Sequence, residues 1–176
     1  LDRHISDRGD QDALVYDSPV TGSKRTYTYR ELLDQTARFA GVLRDLGVGK
    51  GDRVVLYMPM IPEAVIAMLA CARLGAVHSV VFGGFASHEL ATRIDDAQPT
   101  VIVSASCGIE PNRVIEYKPM LDHALQRATH QPRACVIVQR DRHRCDLIDG
   151  RDHDWADLMA AADPADPVPV AATDPL

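Results

Sequence analysis

Two stretches of this chain carry residue types whose spacing suits anion binding. Gly83-Gly84 follows an apolar run ending at Val81-Phe82 and precedes a helical pattern opening near Ser87. Paired glycines let a ligand approach the backbone closely, and the amides of a following helix N-terminus favour negative charge. On local grounds the pair reads first as a tight structural turn and second as a ligand surface. Cys107-Gly108-Ile109-Glu110-Pro111-Asn112-Arg113 also lies between a strand pattern and a helix pattern. Arg113 offers a planar guanidinium fork that matches phosphate geometry. The alternative there is a solvated loop arginine, and Lys118 in Tyr117-Lys118-Pro119 offers less.

Other candidates fail on pattern. Gly47-Val48-Gly49-Lys50-Gly51 resembles a phosphate loop, but Arg44 stands where the first glycine belongs and Gly51 follows the lysine. It also joins a helix to the next strand, at the wrong end of a parallel sheet for ligands. It reads as a helix cap and turn. His143-Arg144-Cys145 and His153 lack the recurring ligand spacing of a zinc site, so no metal is expected. His78, inside an apolar strand, reads as a hydrogen-bonded core residue rather than a catalytic base. No G-x-S-x-G elbow or Ser/His/Asp set occurs, and no catalytic residue is expected in this segment.

The elements that must position these residues form a regular alternation. Thr28 and Glu31 fit a capping box, and Leu32, Thr36, Phe39, Leu43 and Leu46 follow at helical spacing until Gly47 and Gly49. Before them come a helix tail (Leu1 to Arg8), a short strand at Ala13 to Tyr16, and a turn through Pro19 and Gly22. From Arg53 onward, β-branched runs alternate with helical patterns. Strands are expected at Val54–Tyr57, Ala76–Val81, Thr100–Ser104 and Ala134–Val138, and helices at Pro62–Leu74, Ser87–Ala97 and Tyr117–Thr129. Near-continuous apolar strands with long crossovers predict a doubly wound α/β fold, a mostly parallel sheet with helices on both faces. Arg140 to Asp154 reads as an exposed loop and Trp155 to Ala162 as a short helix with Trp155, Leu158 and Met159 on one face. Asp163 to Pro169 reads as an extended proline-rich connector.

Composition bounds the function. Of 176 residues, 46% are hydrophobic and 25% charged, the profile of a globular chain. The net charge of -6 leaves no basic footprint for nucleic acid or an anionic membrane. The longest apolar run, Ala64 to Ala72, is too short to span a bilayer. Four cysteines without a C-x-x-C, two of them (Cys71, Cys135) in core elements, favour a reducing compartment: cytoplasm, or mitochondrial matrix in a eukaryote. The chain opens at Leu1 and its alternating units stop at Thr173-Asp174-Pro175-Leu176, so a segment of a longer enzyme is expected.

Several motifs in order resemble a known family. Thr26-Tyr27-Thr28-Tyr29-Arg30-Glu31-Leu32, Gly51-Asp52-Arg53-Val54 and Met58-Pro59-Met60-Ile61-Pro62-Glu63-Ala64 resemble the N-terminal half of an acyl-CoA synthetase. Ala70-Cys71-Ala72-Arg73-Leu74-Gly75-Ala76 and Val80-Val81-Phe82-Gly83-Gly84-Phe85 are similar to the acetyl-/propionyl-CoA synthetase branch of the AMP-forming adenylating enzymes. Ser106-Cys107-Gly108-Ile109-Glu110-Pro111 with Tyr117-Lys118-Pro119 is closer to the propionyl type.

That resemblance implies a two-step ligase whose substrates are a short-chain carboxylate, Mg-ATP and CoA, working through an acyl-adenylate. It implies that Phe82, Gly83 and Gly84 meet the adenine end of CoA and Arg113 its 3′-phosphate. Acetyl-CoA synthetases place a second arginine where this chain has Glu110. It also implies that residues 1–176 are an incomplete N-terminal part of the AMP-binding domain. In that part, 1–52 would be a lead-in, 53–140 the repeated units and 141–176 a loop, short helix and connector, inactive without the remainder of the enzyme. The rival expectations are a non-catalytic CoA- or nucleotide-binding module and a truncated scaffold remnant.

Overall fold

A computed structural model describes residues 1–83 and 86–176. A 3-10 turn at Asp2–His4 leads into the short helix Ile5–Arg8 (α1). Asp12–Ser18 (β1) and Ser23–Thr28 (β2) pair antiparallel. The sequence pattern shows β1 but not β2, because only Tyr27 in β2 is buried and no apolar alternation marks it. Thr28 then caps Tyr29–Asp45 (α2) as expected: the Glu31 amide donates to Thr28 Oγ1 at 3.2 Å and the Thr28 amide to Glu31 Oε2 at 2.8 Å. Gly47 ends the turn at φ 91°, a conformation that glycine adopts without steric cost.

Arg53–Met58 (β3), Pro62–Leu74 (α3), Val77–Phe82 (β4), Ser87–Ala97 (α4) and Val101–Ala105 (β5) follow. Cys107–Glu110 (β6) and Arg113–Glu116 (β7) form an antiparallel hairpin where the sequence reads as a loop. Tyr117–Arg127 (α5), Ala134–Val138 (β8), Asp152–Asp154 (β9) and Trp155–Ala161 (α6) complete the order. The main sheet runs β4-β3-β5-β8-β9 with every pair parallel. β9 falls inside the stretch read as an exposed loop. Its Asp152-His153-Asp154 sequence carries no strand signal, and it is held by backbone pairing to Cys135, Val136 and Ile137.

Alternate residues of the strands feed two cores, as period-2 geometry requires. Val54, Leu56 and Met58 pack with Phe39, Leu43 and Ile66 from α2 and α3. Val55, Tyr57, Ile102 and Ile137 pack with Leu90, Ile94 and Leu121 from α4 and α5. Trp155 stacks on Phe39 with ring centroids 3.8 Å apart, and Leu158 and Met159 join the same core. The chain leaves β3 for β4 on one side, then crosses to β5, β8 and β9 on the other. The carboxyl ends of β3 and β5 therefore flank a topological switch point, the usual ligand position in open α/β sheets.

The proline-rich connector forms neither helix nor strand and is strapped down. The Ala165 amide donates to Ala37 O at 2.9 Å, and the Val168 amide to Arg73 O at 2.8 Å. Arg73 Nε donates to Ala165 O at 2.7 Å, while its Nη1 holds Asp2 at 2.8 and 2.9 Å. The strap crosses α2 at Gly41, where an added Cβ would stand 1.8 Å from the Asp163 carbonyl oxygen. Alanine in a helix interior ordinarily gains about 1 kcal/mol over glycine. Here the clash must displace the strap, so Gly41→Ala should instead destabilise the full-length protein by roughly 1–3 kcal/mol. A thermal midpoint unchanged or raised in that variant would show that the strap yields freely.

Candidate functional site

The carboxyl ends of the parallel strands β4, β3, β5, β8 and β9 lie at one rim, and Phe82, Gly83 and the hairpin of Arg113 follow from it. Gly83 follows β4 and is buried, while Phe82 at the strand end is 72% exposed. Gly84 lies outside the described residues. The hairpin that carries Arg113 rises from the end of β5.

These two places are joined by Tyr117, the first residue of α5. A Cβ on Gly83 would stand 1.9 Å from the Tyr117 hydroxyl oxygen, and one on Gly108 would stand 2.7 Å from Tyr117 Cε1. The ring thus fills the space that both glycines leave. Below it, the Tyr57 ring lies 5.0 Å from the Tyr117 ring, and the Tyr57 hydroxyl donates to Gly83 O at 3.3 Å. Burial, with Tyr117 close by, pushes the Tyr57 phenol up to about 12, so it remains a donor at neutral pH. Sequence reasoning missed Tyr117 and Gly108. A glycine inside what proves to be a strand is a known sign of close approach, but the strand itself was not legible.

Arg113 pairs across the hairpin with Glu110. Arg113 Nε donates to Glu110 Oε2 at 2.7 Å, and Nη2 reaches Oε1 at 3.4 Å. Both side chains are open to solvent. The hydrogen bond from Arg113 holds the Glu110 carboxyl below its ordinary value, and the same contact raises the arginine. The acid fixes one edge of the guanidinium fork and competes with any anion for it.

A cleft of about 530 Å³ lies elsewhere on the rim, between the β1–β2 hairpin, the start of α3 and the segment after β8. Lys24, Arg25, Arg140 and Arg142 line it against Glu63 and Asp141, giving a locally basic surface on an acidic chain. Ile109 also faces it, but none of Phe82, Gly83 or Arg113 does. The hairpin therefore divides the rim: Gly108 turns toward Tyr117, and its neighbour Ile109 toward the cleft.

Lys118 is not a ligand candidate but a buried structural charge. It is 4% exposed and donates to both Asp122 oxygens at 2.9 and 2.7 Å, with Asp152 Oδ2 3.0 Å away. Arg151 joins the group through Asp122 and Asp152. The cluster fastens the start of α5 to β9, so the helix that carries Tyr117 is anchored to the sheet edge.

Cys71 and Cys135 are fully buried, as the sequence suggests, and burial pushes each thiol up to about 12. Neither can supply a thiolate nucleophile at neutral pH. His78 is half-buried rather than core, and its enclosed Nδ1 has no hydrogen-bond partner among the described residues, which corrects the expectation of a hydrogen-bonded histidine. Burial lowers its pKa and keeps it neutral. Among the described residues no group of three His, Cys, Asp or Glu side chains could hold a metal, and no helix is long and apolar enough to cross a membrane.

Fold and rim together define a doubly wound α/β unit of the ligand-binding kind. Comparison with known proteins sharpens this: the family model for AMP-binding enzymes matches residues 1–176, and the chain belongs to that family. It is 53% identical over 178 residues to a Rattus norvegicus protein named acyl-CoA synthetase short-chain family member 3, mitochondrial, covering 100% of this chain and 26% of that protein. It is 50% identical over 158 residues to propionate–CoA ligase of Escherichia coli, covering 90% of this chain and 25% of the ligase. Among solved structures, acetoacetyl-CoA synthetase from Streptomyces lividans superposes with a TM-score of 0.84 at 28% identity, over 96% of this chain and 25% of that one. The chain therefore spans about a quarter of the length of these relatives.

The charge cluster has a testable pH signature. Burial pushes the Asp152 carboxyl up, but hydrogen bonds from Arg151, the Ile148 amide and Lys118 outweigh it and hold the group below the usual range. A carboxyl depressed on folding stabilises above its unfolded value of about 3.9, and that contribution is lost as pH falls through the folded value. Burial likewise depresses Lys118, but Asp122 and Asp152 raise it overall, so its contribution is lost only as pH rises through its elevated value. Asp152→Asn should lower stability at pH 7 by about 3 kcal/mol, since it leaves buried cations short of charge. It should also flatten the acid limb below about pH 4. Urea unfolding at pH 7 and pH 3 checks both, and equal loss at the two pH values would contradict the assignment.

Proposed function

We propose that this chain is the N-terminal part of the AMP-binding domain of a short-chain acyl-CoA synthetase, with propionate preferred over acetate. The observation that carries the reading is its 50–53% identity, over nine-tenths or more of its length, to proteins named as short-chain acyl-CoA synthetase and propionate–CoA ligase. In the proposed reaction the acid's carboxylate attacks the α-phosphorus of Mg-ATP, releasing pyrophosphate and forming an acyl-adenylate. The thiol of CoA, losing its proton, then attacks the acyl carbon and AMP departs. Residues 1–176 contribute no group to the bond changes. Their role is to receive the CoA nucleotide, while the remainder of the enzyme handles ATP and acid. Four free cysteines suit the reducing surroundings of cytoplasm or mitochondrial matrix.

On this reading the exposed Phe82 stacks on adenine, Gly83 and Gly84 border the nucleotide, and Arg113 meets the 3′-phosphate. The phosphate takes the part of the guanidinium fork that Glu110 leaves open. Glu110 weakens this contact, where an arginine would strengthen it. In the full-length protein, Arg113→Ala should raise KM for CoA roughly tenfold, the scale of one charge-assisted hydrogen bond. Acid-dependent ATP–pyrophosphate exchange should persist, and KM for 3′-dephospho-CoA should stay put. Glu110→Gln should lower KM for CoA. Steady-state kinetics with the two thiols decide it: a rise in KM for dephospho-CoA as large as that for CoA would remove Arg113 from the phosphate.

A further inference from the structure

We propose that Tyr117 is a positioning residue, fixing the Gly83 turn and the Arg113 hairpin at one spacing so that both ends of the CoA nucleotide are met together. The inference rests on the CoA reading above and adds a part that the reading does not contain.

The argument starts from two glycines that need no special backbone. The glycines with positive φ among the described residues are Gly22, Gly47, Gly51, Gly75 and Gly150; Gly83 and Gly108 are not among them. Conformational freedom therefore does not explain either residue, whereas lack of a side chain does. Cβ atoms would stand 1.9 Å from the Tyr117 hydroxyl oxygen at Gly83, and 2.7 Å from Cε1 at Gly108. The contacts at Gly83 extend into the ring itself, at 2.4 Å from Cζ and 2.5 Å from Cε2. A rigid aromatic ring, 5% exposed, is thus clasped between the extension of β4 and a strand of the hairpin.

The ring cannot drift, because its root is tied to the hairpin base. The Tyr117 amide donates to Ser106 O at 3.1 Å. Ser106 Oγ donates to His143 O at 2.6 Å and accepts the Arg140 amide at 2.9 Å. The next residue, Lys118, is locked into the cluster with Asp122 and Asp152. On the other side, Tyr57 supports the ring and grips the Gly83 carbonyl. Within the hairpin, Gly108 faces Ile115 and Glu110 faces Arg113, so the backbone of the Glu110–Arg113 pair lies two residues, about 7 Å along the strand, from the clasp. Removing the ring frees the turn and the hairpin to move independently, and a nucleotide must then order both.

Tyr117→Leu, Tyr117→Phe and Arg113→Ala in the full-length protein test this. Tyr117→Leu should raise KM for CoA and for 3′-dephospho-CoA, each about tenfold or more, with ATP–pyrophosphate exchange retained. The preference for CoA over dephospho-CoA should shrink toward unity in that variant. Tyr117→Phe, which keeps the ring, should stay within about twofold of wild type on both thiols. If Arg113→Ala behaves as predicted while Tyr117→Leu leaves both KM values and the preference intact, the positioning role is overturned and the CoA reading stands. If Arg113→Ala leaves KM for CoA unchanged, the CoA reading itself fails. If Tyr117→Leu abolishes exchange together with thiol use, the ring is a general core residue and the proposal falls.

Discussion

Strands that run parallel and are buried on both faces cannot be joined by tight turns, and this constraint organises the molecule. The strands β3 and β5 pair only with neighbours of the same direction, so each connection must return along the sheet, through α3, α4 and α5 up to β8 and through the helix-free segment 139–151 from β8 to β9. Their apolar residues, Val54 to Tyr57 and Val101 to Val103, leave no polar face that water could occupy. One consequence is that all the carboxyl ends open at the same rim. Another is that α3 covers one face and α4 with α5 the other, which separates the crossovers on either side of β3 and opens the rim between β3 and β5.

What fills that opening is a hairpin rather than a loop, and its orientation is decided by one side chain. Tyr117 and Lys118 are consecutive residues at the start of α5, yet they serve different ends of the same problem. The tyrosine turns to the rim and occupies the room left by Gly83 and Gly108. The lysine turns to the sheet edge and is neutralised by Asp122 and Asp152. Because a buried cation stripped of its partners is costly, the lysine contributes position more than net stability. Helix α5 is thereby held at a fixed height on the sheet, and the ring with it. The connector strap performs the same service on the opposite face, binding α2, α3 and Asp2 through Arg73.

The legible part of the fold is the part governed by periodicity. The runs at Val54, Val101 and Ala134 and the amphipathic patterns after Thr28, Pro62 and Ser87 announce themselves, because burial on two faces or one stripe leaves a mark on composition. β2, β9 and the β6–β7 hairpin leave none: they are short, half-polar, and specified by backbone pairing or by what stands beside them. At the site, glycine and arginine types pointed to the rim, while Gly108, Tyr117 and the burial of Lys118 depend on contacts between distant elements. Gly41 shows the same limit. A glycine inside an otherwise good helix reads as a small local weakness until the Asp163 carbonyl is found lying across it.

Electrostatics at the rim set the terms on which an anion can be held. The chain carries a net charge of -6, so a polyanion approaches against the overall field and depends on local cations. Arg113 is a solvent-exposed cation of the hairpin, and its partner Glu110 is exposed with it. An ion pair in open solvent contributes little net stability, so exchanging the carboxylate for a phosphate costs little. In the meantime Glu110 holds the guanidinium in one orientation and removes part of the entropy that binding would otherwise have to take away. The pair therefore trades strength for order: a weaker anion contact than two arginines would give, from a fork already aimed. That trade is useful only if the rest of the nucleotide surface is equally fixed, which returns the weight of the site to the ring between the two glycines.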